Sequence, residues 1–327
     1  MIQSLYLEPN GQLRTNLSQM DMAFALQEPA GLLWVDFQGT PPEEDEQVLR
    51  KTFGFHPLAI DDALQETHVP KLDDWGAYLY IVLHAVVFDK VEGDVDSLEL
   101  DVFLGKNYMV THHDLPVAAV SKVWDIMQRS TRDLRLGVDH LLYRIVDEVA
   151  ASYMPAVEAL DRSIDVLEDE IFSAPKPNTL ERIFTVKRSV LYLRRIIAPQ
   201  REVLNKLARD NYDVIDEHDR IYFRDVYDHM VRLYDITEGV RDLVSGTLDT
   251  YLSVINNRMN DIMKTLTVIT TLFMPITFIV GFFGMNFFQP SEPLDVWTRL
   301  PAFLLTLLFI AVTPPAMFWW MRRRGWL

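Results

Sequence analysis

Polar and apolar residues change rhythm twice along the 327-residue chain. In the first part the apolar positions come in short runs. Gly31-Leu32-Leu33-Trp34-Val35-Asp36-Phe37 and Ala77-Tyr78-Leu79-Tyr80-Ile81-Val82-Leu83-His84 are rich in aromatic and branched side chains, and each predicts a β-strand. Residues 98–104 and 108–111 flank Gly105-Lys106-Asn107, which predicts a hairpin-like turn. Helical spacing lies between these runs, over 42–53 and 58–65. Residues 1–135 therefore predict an α/β domain. They contain neither Gly-x-Gly-x-x-Gly nor Gly-Lys-Thr/Ser, so nothing in them signals a phosphate-cradling loop.

From about Val138 the period becomes helical. Residues 140–172 carry apolar side chains every third or fourth position, Ala174-Pro175-Lys176-Pro177 interrupts, and 179–209 runs back, which predicts a long antiparallel helix pair. Its acids Glu158, Asp161, Asp165, Glu168, Asp169 and Glu170 recur at helical spacing, as a solvated face or an ion-concentrating one. A third helix starts near Asp216 and meets no proline until Pro275. Continued to Met285 it would be about 100 Å long. Residues 136–265 thus form a stalk region of long helices.

The second change is to uncharged residues. Residues 266–285 contain no Asp, Glu, Lys, Arg or His, and neither do 300–320. Each is long enough to cross a bilayer. Only residues 286–299 separate them, so the two spans form a hairpin with both chain ends on one side. Arg258 and Lys264 precede the first span and Arg322, Arg323 and Arg324 follow the second, in the tail 321–327. The connection holds Arg299 against Glu292 and Asp295. The positive-inside rule then predicts a multi-pass protein of the cell membrane with cytoplasmic termini and 286–299 outside. Trp319, Trp320 and Trp326 suit an interfacial aromatic belt, and Met1-Ile2-Gln3-Ser4-Leu5 has no signal-peptide pattern.

One seam of the third helix has unusual chemistry. Asp249, Leu252, Asn256, Asn260, Met263, Thr267, Thr270, Met274, Thr277 and Gly281 follow one another at steps of three or four, near the 3.5 period of helices packed around a common axis. Leu272, Phe273, Ile276, Ile279 and Val280 occupy the other faces. Polar groups at membrane depth face protein or water. Two readings fit: interhelical packing through Thr and Gly, or a water-filled axial pore. A pore demands an oligomer, because one hairpin encloses nothing.

Net charge narrows the partners. The chain carries -16; residues 266–327 hold four basic and two acidic residues, so the first 265 carry -18. Such a surface repels nucleic acid and attracts cations. With no Cys there is no disulfide framework and no thiolate site, so any metal is held by oxygen or imidazole, which favours hard divalent ions. His112-His113-Asp114 alone invites a metal-hydrolase reading. It follows a strand, lacks a third spaced ligand and reads as a loop, so no enzyme is expected.

Several motifs together resemble a known family. Tyr251-Leu252-Ser253, Asn257 to Met263, Lys264-Thr265-Leu266-Thr267, Phe273-Met274-Pro275-Ile276-Thr277-Phe278 and Gly281-Phe282-Phe283-Gly284-Met285-Asn286-Phe287 resemble the membrane-proximal signature of the CorA magnesium transporters. The likeness extends to 222–229 and to Phe53-Gly54-Phe55-His56-Pro57-Leu58. It implies an α+β membrane protein: a funnel-shaped homopentamer with a cytoplasmic α/β domain, a stalk helix lining the pore and a second span outside it. Gly284, Met285 and Asn286 correspond to the selectivity filter, where neutral amide oxygens hold an ion that sheds water reluctantly. Thr277 and Asn260 match polar pore rings, Met274 an apolar ring, Asp249 an acidic inner mouth, and Met263 with Leu266 a constriction gating by dewetting.

The resemblance also assigns a sensor. Asp62 and Asp225 correspond to carboxylates that bind Mg²⁺ between subunits, and Asp61, Asp147 and His229 to a second site nearby. Singly, each Asp reads as a helix cap or surface charge. The implied activity is uptake of Mg²⁺, with Co²⁺ and Ni²⁺ as further cargo, closed by internal Mg²⁺ and needing no organic cofactor. Its partners are other copies of the chain, membrane lipid and divalent ions, not nucleic acid. Zn²⁺ transport by the same superfamily, or a membrane-anchored helical scaffold, are the alternatives. Phe283 departs from the family's usual Tyr, and Phe288 to Pro293 hold few acids.

Overall fold

The computed structural model describes residues 1–65, 69–89, 94–284 and 300–325. They divide into two compact units, Met1–Asp249 and Thr250–Leu327.

The first unit is built on a seven-stranded sheet. Its strands are β1 (Ile2–Leu7), β2 (Leu13–Thr15), β3 (Leu32–Gln38), β4 (Lys71–Asp74), β5 (Leu79–Phe88), β6 (Val95–Leu104) and β7 (Tyr108–His113), in the order β2-β1-β3-β7-β6-β5-β4. Only β3 and β7 pair in parallel; every other neighbour is antiparallel. The predicted hairpin is β6–β7, with Leu104 opposite Met109. β1, β2 and β4 went unpredicted: they are short, and β2 and β4 lie at the sheet edges, where one flank needs no apolar partner.

Alternation along the strands feeds two cores. Leu33, Val35 and Phe37 of β3 join Tyr80, Val82, Phe103 and Val110 on one face. That face is covered by α1 (Gln19–Leu26), α2 (Pro42–Val48), a π-helical turn Leu49–Phe53 and α3 (Pro57–Leu64). Gly54 ends the π turn at φ 71, a conformation that favours glycine. Trp34 points the other way and meets Trp124 edge-on at 4.6 Å, on α4 (Ala118–Arg129). Helices α5 (Val138–Ala151), α6 (Tyr153–Ser173) and α7 (Thr179–Arg209) complete that layer.

Two expectations are corrected. The stretch 140–172 is not one helix: Ser152 divides it, and Ser152 Oγ donates to Val149 O at 2.6 Å while accepting from Val86 N at 3.1 Å. Pro155 carries the reason. Lacking an N–H, it is tolerated in the first turn of a new helix and not in the interior of an old one. His112 and His113 do not mark a loop; they end β7 and are buried.

The next element is α8, one continuous helix over Arg220–Gly284. Within the first unit it buries Phe223, Val226, Met230, Leu233, Thr237, Val240, Val244 and Thr247, at alternating steps of three and four. Thr247 Oγ1 donates to Glu168 at 2.8 Å, and Arg194 pairs with Glu238 at 2.6 Å. The second unit holds the remainder of α8 and α9 (Leu300–Arg323). Both helices are long and apolar enough to cross a membrane.

Candidate functional site

The predicted sensor residues occupy two places in the first unit. On α3, Ala59, Ile60 and Ala63 are buried, which turns Asp61 outward and leaves Asp62 half-buried. Pro57 begins the helix and His56 Nδ1 caps it by accepting from Leu58 N at 3.2 Å. Asp62 is held in an ion pair by Lys71 of β4, whose Nζ also lies 3.1 Å from Asp73 Oδ2 and 5.1 Å from the centre of the Tyr80 ring. Burial alone would lower the Lys71 pKa, but its hydrogen bonds to Asp62 and Asp73 prevail and raise it.

The second place joins α5 to α8. Asp225 and His229, four residues apart, lie on one face of α8 and act on Asp147 of α5. Burial, then Glu148, raise the Asp147 carboxyl above its ordinary range; Arg144 and His229 pull it down, and Asp225 adds to the rise. A carboxylate so disfavoured gains from a divalent ion. Asp225 and His229 thus lie within electrostatic reach of Asp147 in one chain, whereas Asp61 and Asp62 make no hydrogen bond or ion pair with these three among the described residues. No three His, Asp or Glu side chains stand close enough to hold a metal among the described residues.

A third polar cluster had only a partial signal in the sequence, the His112-His113 pair. His112 lies between two carboxylates, 3.4 Å from Asp45 of α2 and 3.7 Å from Asp101 of β6. Tyr80 donates to Asp101 at 2.6 Å. Burial opposes the imidazolium, yet hydrogen bonding to Asp101 and Asp45 carries His112 to about 9. Burial pushes Asp101 up to about 6, against the hydrogen bonds from His112 and Tyr80. On the opposite face His113 Nε2 meets Asp36 at 3.1 Å, and Asp36 also accepts from Thr111 at 2.5 Å. His112 thus ties the sheet to α2, and His113 ties β7 to β3.

In the second unit Asn260, Met263, Leu266, Met274 and Thr277 are all exposed. A partly covered stripe of Val268, Leu272, Pro275, Ile276 and Ile279 lies on the other side of the same helix. The seam therefore faces away from what the chain itself covers. A shallow groove of about 430 Å³ is lined by Thr270, Phe273, Met274, Thr277 and Phe278. Threonines of the helix turn their hydroxyls inward: Thr267 donates to Met263 O at 2.7 Å, Thr270 to Leu266 O at 2.9 Å and Thr277 to Phe273 O at 2.9 Å. Gly284 is the last residue of α8; Met285 and Asn286 lie outside the described residues. Asp249 closes the first unit.

Comparison with known proteins identifies the family and the fold. The family described as CorA-like Mg²⁺ transporter protein matches residues 29–323. The cobalt/magnesium transport protein CorA of Thermotoga maritima is 36% identical over 300 residues, covering 90% of this chain and 83% of that protein. Its namesake in Methanocaldococcus jannaschii is 27% identical, covering 90% and 92%. The structure of the complete M. jannaschii CorA matches with a TM-score of 0.80 at 23% identity, over 99% of this chain and 98% of that one. An N-terminal α/β domain, a long helix and a C-terminal apolar helix are common to both folds, and this chain belongs to the CorA-like Mg²⁺ transporter family.

Proposed function

We propose that the chain is a passive Mg²⁺ channel, admitting Co²⁺ as well, that works as a homopentamer in the cell membrane with its termini and residues 1–265 in the cytoplasm. The observation that carries this reading is the seam of α8, polar and Met-rich, turned away from the chain's own covering stripe. Five copies around an axis bring five seams together. Asn260 and Thr277 then supply polar rings, Met263, Leu266 and Met274 apolar ones, and Asp249 an acidic inner mouth. Gly284, Met285 and Asn286 form the outer filter, where Asn286 amide oxygens hold the ion through its waters.

Closure is by internal Mg²⁺. Asp62 and Asp225 of neighbouring copies share one ion, and Asp61, Asp147 and His229 form a second site. Because no three donors converge within one chain among the described residues, each site is completed by another copy. Relatives named for cobalt and magnesium support these ions over Zn²⁺.

The driving force is electrical. A divalent ion entering across 100 mV, inside negative, gains about 4.6 kcal/mol, roughly a 2000-fold gradient. Liposomes holding the purified protein should accumulate Mg²⁺ without ATP and lose uptake when the potential is collapsed. Asn286→Ala should abolish selective uptake with the oligomer still assembled. Uptake that requires ATP, or ordinary Mg²⁺ flux through Asn286→Ala, contradicts this mechanism.

A further inference from the structure

We propose that Lys71 is a built-in cation that competes with Mg²⁺ for Asp62 and so sets the concentration at which the channel closes. The inference rests on the sensor role of Asp62 given above and names what tunes it.

The geometry supplies both halves of an exchange. Lys71 Nζ already occupies the Asp62 carboxylate. It has two other places to go, Asp73 Oδ2 at 3.1 Å and the face of the Tyr80 ring, 5.1 Å from its centre. An ammonium with three donors and a flexible stem can lean from one carboxylate to the other without leaving its partners. Antiparallel pairing fixes the arrangement: Lys71 stands opposite Val82 and Asp73 opposite Tyr80, so Lys71 and Asp73 project from the same face of β4. Lys71 is partly covered, with 31% of its side chain exposed, so the charge is not simply dissolved in solvent.

An ion arriving at Asp62 meets a carboxylate already neutralised by this ammonium. Either Lys71 swings to Asp73, or two cations sit side by side and repel. Both outcomes weaken Mg²⁺ binding relative to a free carboxylate. Against the lowering effect of burial, the hydrogen bonds to Asp62 and Asp73 keep the ammonium protonated. The competitor is therefore always present, and Asp73 is the counterweight that makes displacement cheap.

Protease protection of the full-length protein by Mg²⁺ measures the closing midpoint. Lys71→Gln should lower that midpoint about threefold to tenfold, the scale of a partly exposed ion pair. Lys71→Arg, which keeps the charge, should stay near wild type. Asp73→Asn leaves Lys71 wholly to Asp62 and should raise the midpoint; in the Lys71→Gln background it should change little, because the residue it acts through is gone. Asp62→Asn serves as the reference and should raise the midpoint strongly. If Asp62→Asn shifts the midpoint but Lys71→Gln leaves it unchanged or raises it, the competition is refuted and the sensor stands. If Asp73→Asn acts equally with and without Lys71, it works as a bystander charge and the exchange is refuted. If Asp62→Asn changes nothing, the sensor assignment falls first and the competition with it.

Discussion

The two units solve the problem of apolar residues in opposite ways. In Met1–Asp249 the large side chains close on one another: Phe103 stacks on Phe55 at 4.2 Å and 9°, and Trp34, Phe37, Tyr80 and Tyr153 are fully buried. In Thr250–Leu327 the same residue types stay uncovered, with Met274 at 68% and Phe278 at 72% exposure. A soluble protein with that much bare surface would aggregate. The first unit finishes its own core, whereas the second leaves its apolar surface to surroundings that this chain does not supply, which is what a membrane span requires.

The comparison can be broken most severely in the core. Phe103→Ala should destabilise the first unit by about 3–5 kcal/mol, as loss of a stacked, fully buried ring does. Amide hydrogen exchange in β5, β6 and β7 of the full-length protein reads this directly, and unchanged protection would mean that the core does not hold the sheet.

A middle-sized effect comes from His112. Its proton affinity is raised from the ordinary 6.5 to about 9, so the folded state holds a proton that the unfolded chain releases sooner. The sign follows: that contribution to stability is complete below about 6.5 and is lost as pH rises through about 9. The groups facing His112 are Asp45 from α2 and Asp101 from β6, with Tyr80 and Glu99 acting on Asp101. Thermal unfolding followed between about pH 7 and pH 10 should show a decline that His112→Gln flattens. An equal decline in both proteins would remove His112 from the account.

The smallest effect sharpens the contrast from the other side. Phe278→Ala should leave unfolding of the first unit within about 0.5 kcal/mol of wild type, because an exposed ring has no packing to lose there. Hydrogen exchange in the first unit that falls as far as in Phe103→Ala would erase the division between the units.

How much of this was legible depended on how strongly each pattern was constrained. Residues 179–209 repeat their apolar positions over about eight turns between Pro175-Lys176-Pro177 and Asp210, and α7 has those bounds. The β6–β7 turn was readable because Gly105-Lys106-Asn107 sits between two alternating runs. By contrast α4 starts at Ala118 after Val117, which provides no side-chain cap, so its boundary has no local mark. Ser152 was invisible as a break because the apolar period continues through it; Pro155 was the available clue. The sensor carboxylates were readable only through resemblance, since an Asp on a helix surface carries no mark of its purpose. Lys71 was missed for a related reason: its importance lies in which two carboxylates it touches, and β4 was not predicted.

The threonines of α8 have one more consequence, which concerns the direction of hydrogen bonds. Each hydroxyl has a single hydrogen, and Thr267, Thr270 and Thr277 give theirs to a carbonyl one turn back. What remains on the outward side of each oxygen is lone pairs. The water shell around a cation points its hydrogens outward, whereas the shell around an anion points oxygens outward. A row of hydroxyls that can accept but has nothing left to donate therefore welcomes the first kind of shell and offers the second no partner. In the pore proposed above, the helix's own backbone, by claiming those hydrogens, gives an uncharged surface a preference for the sign of the ion.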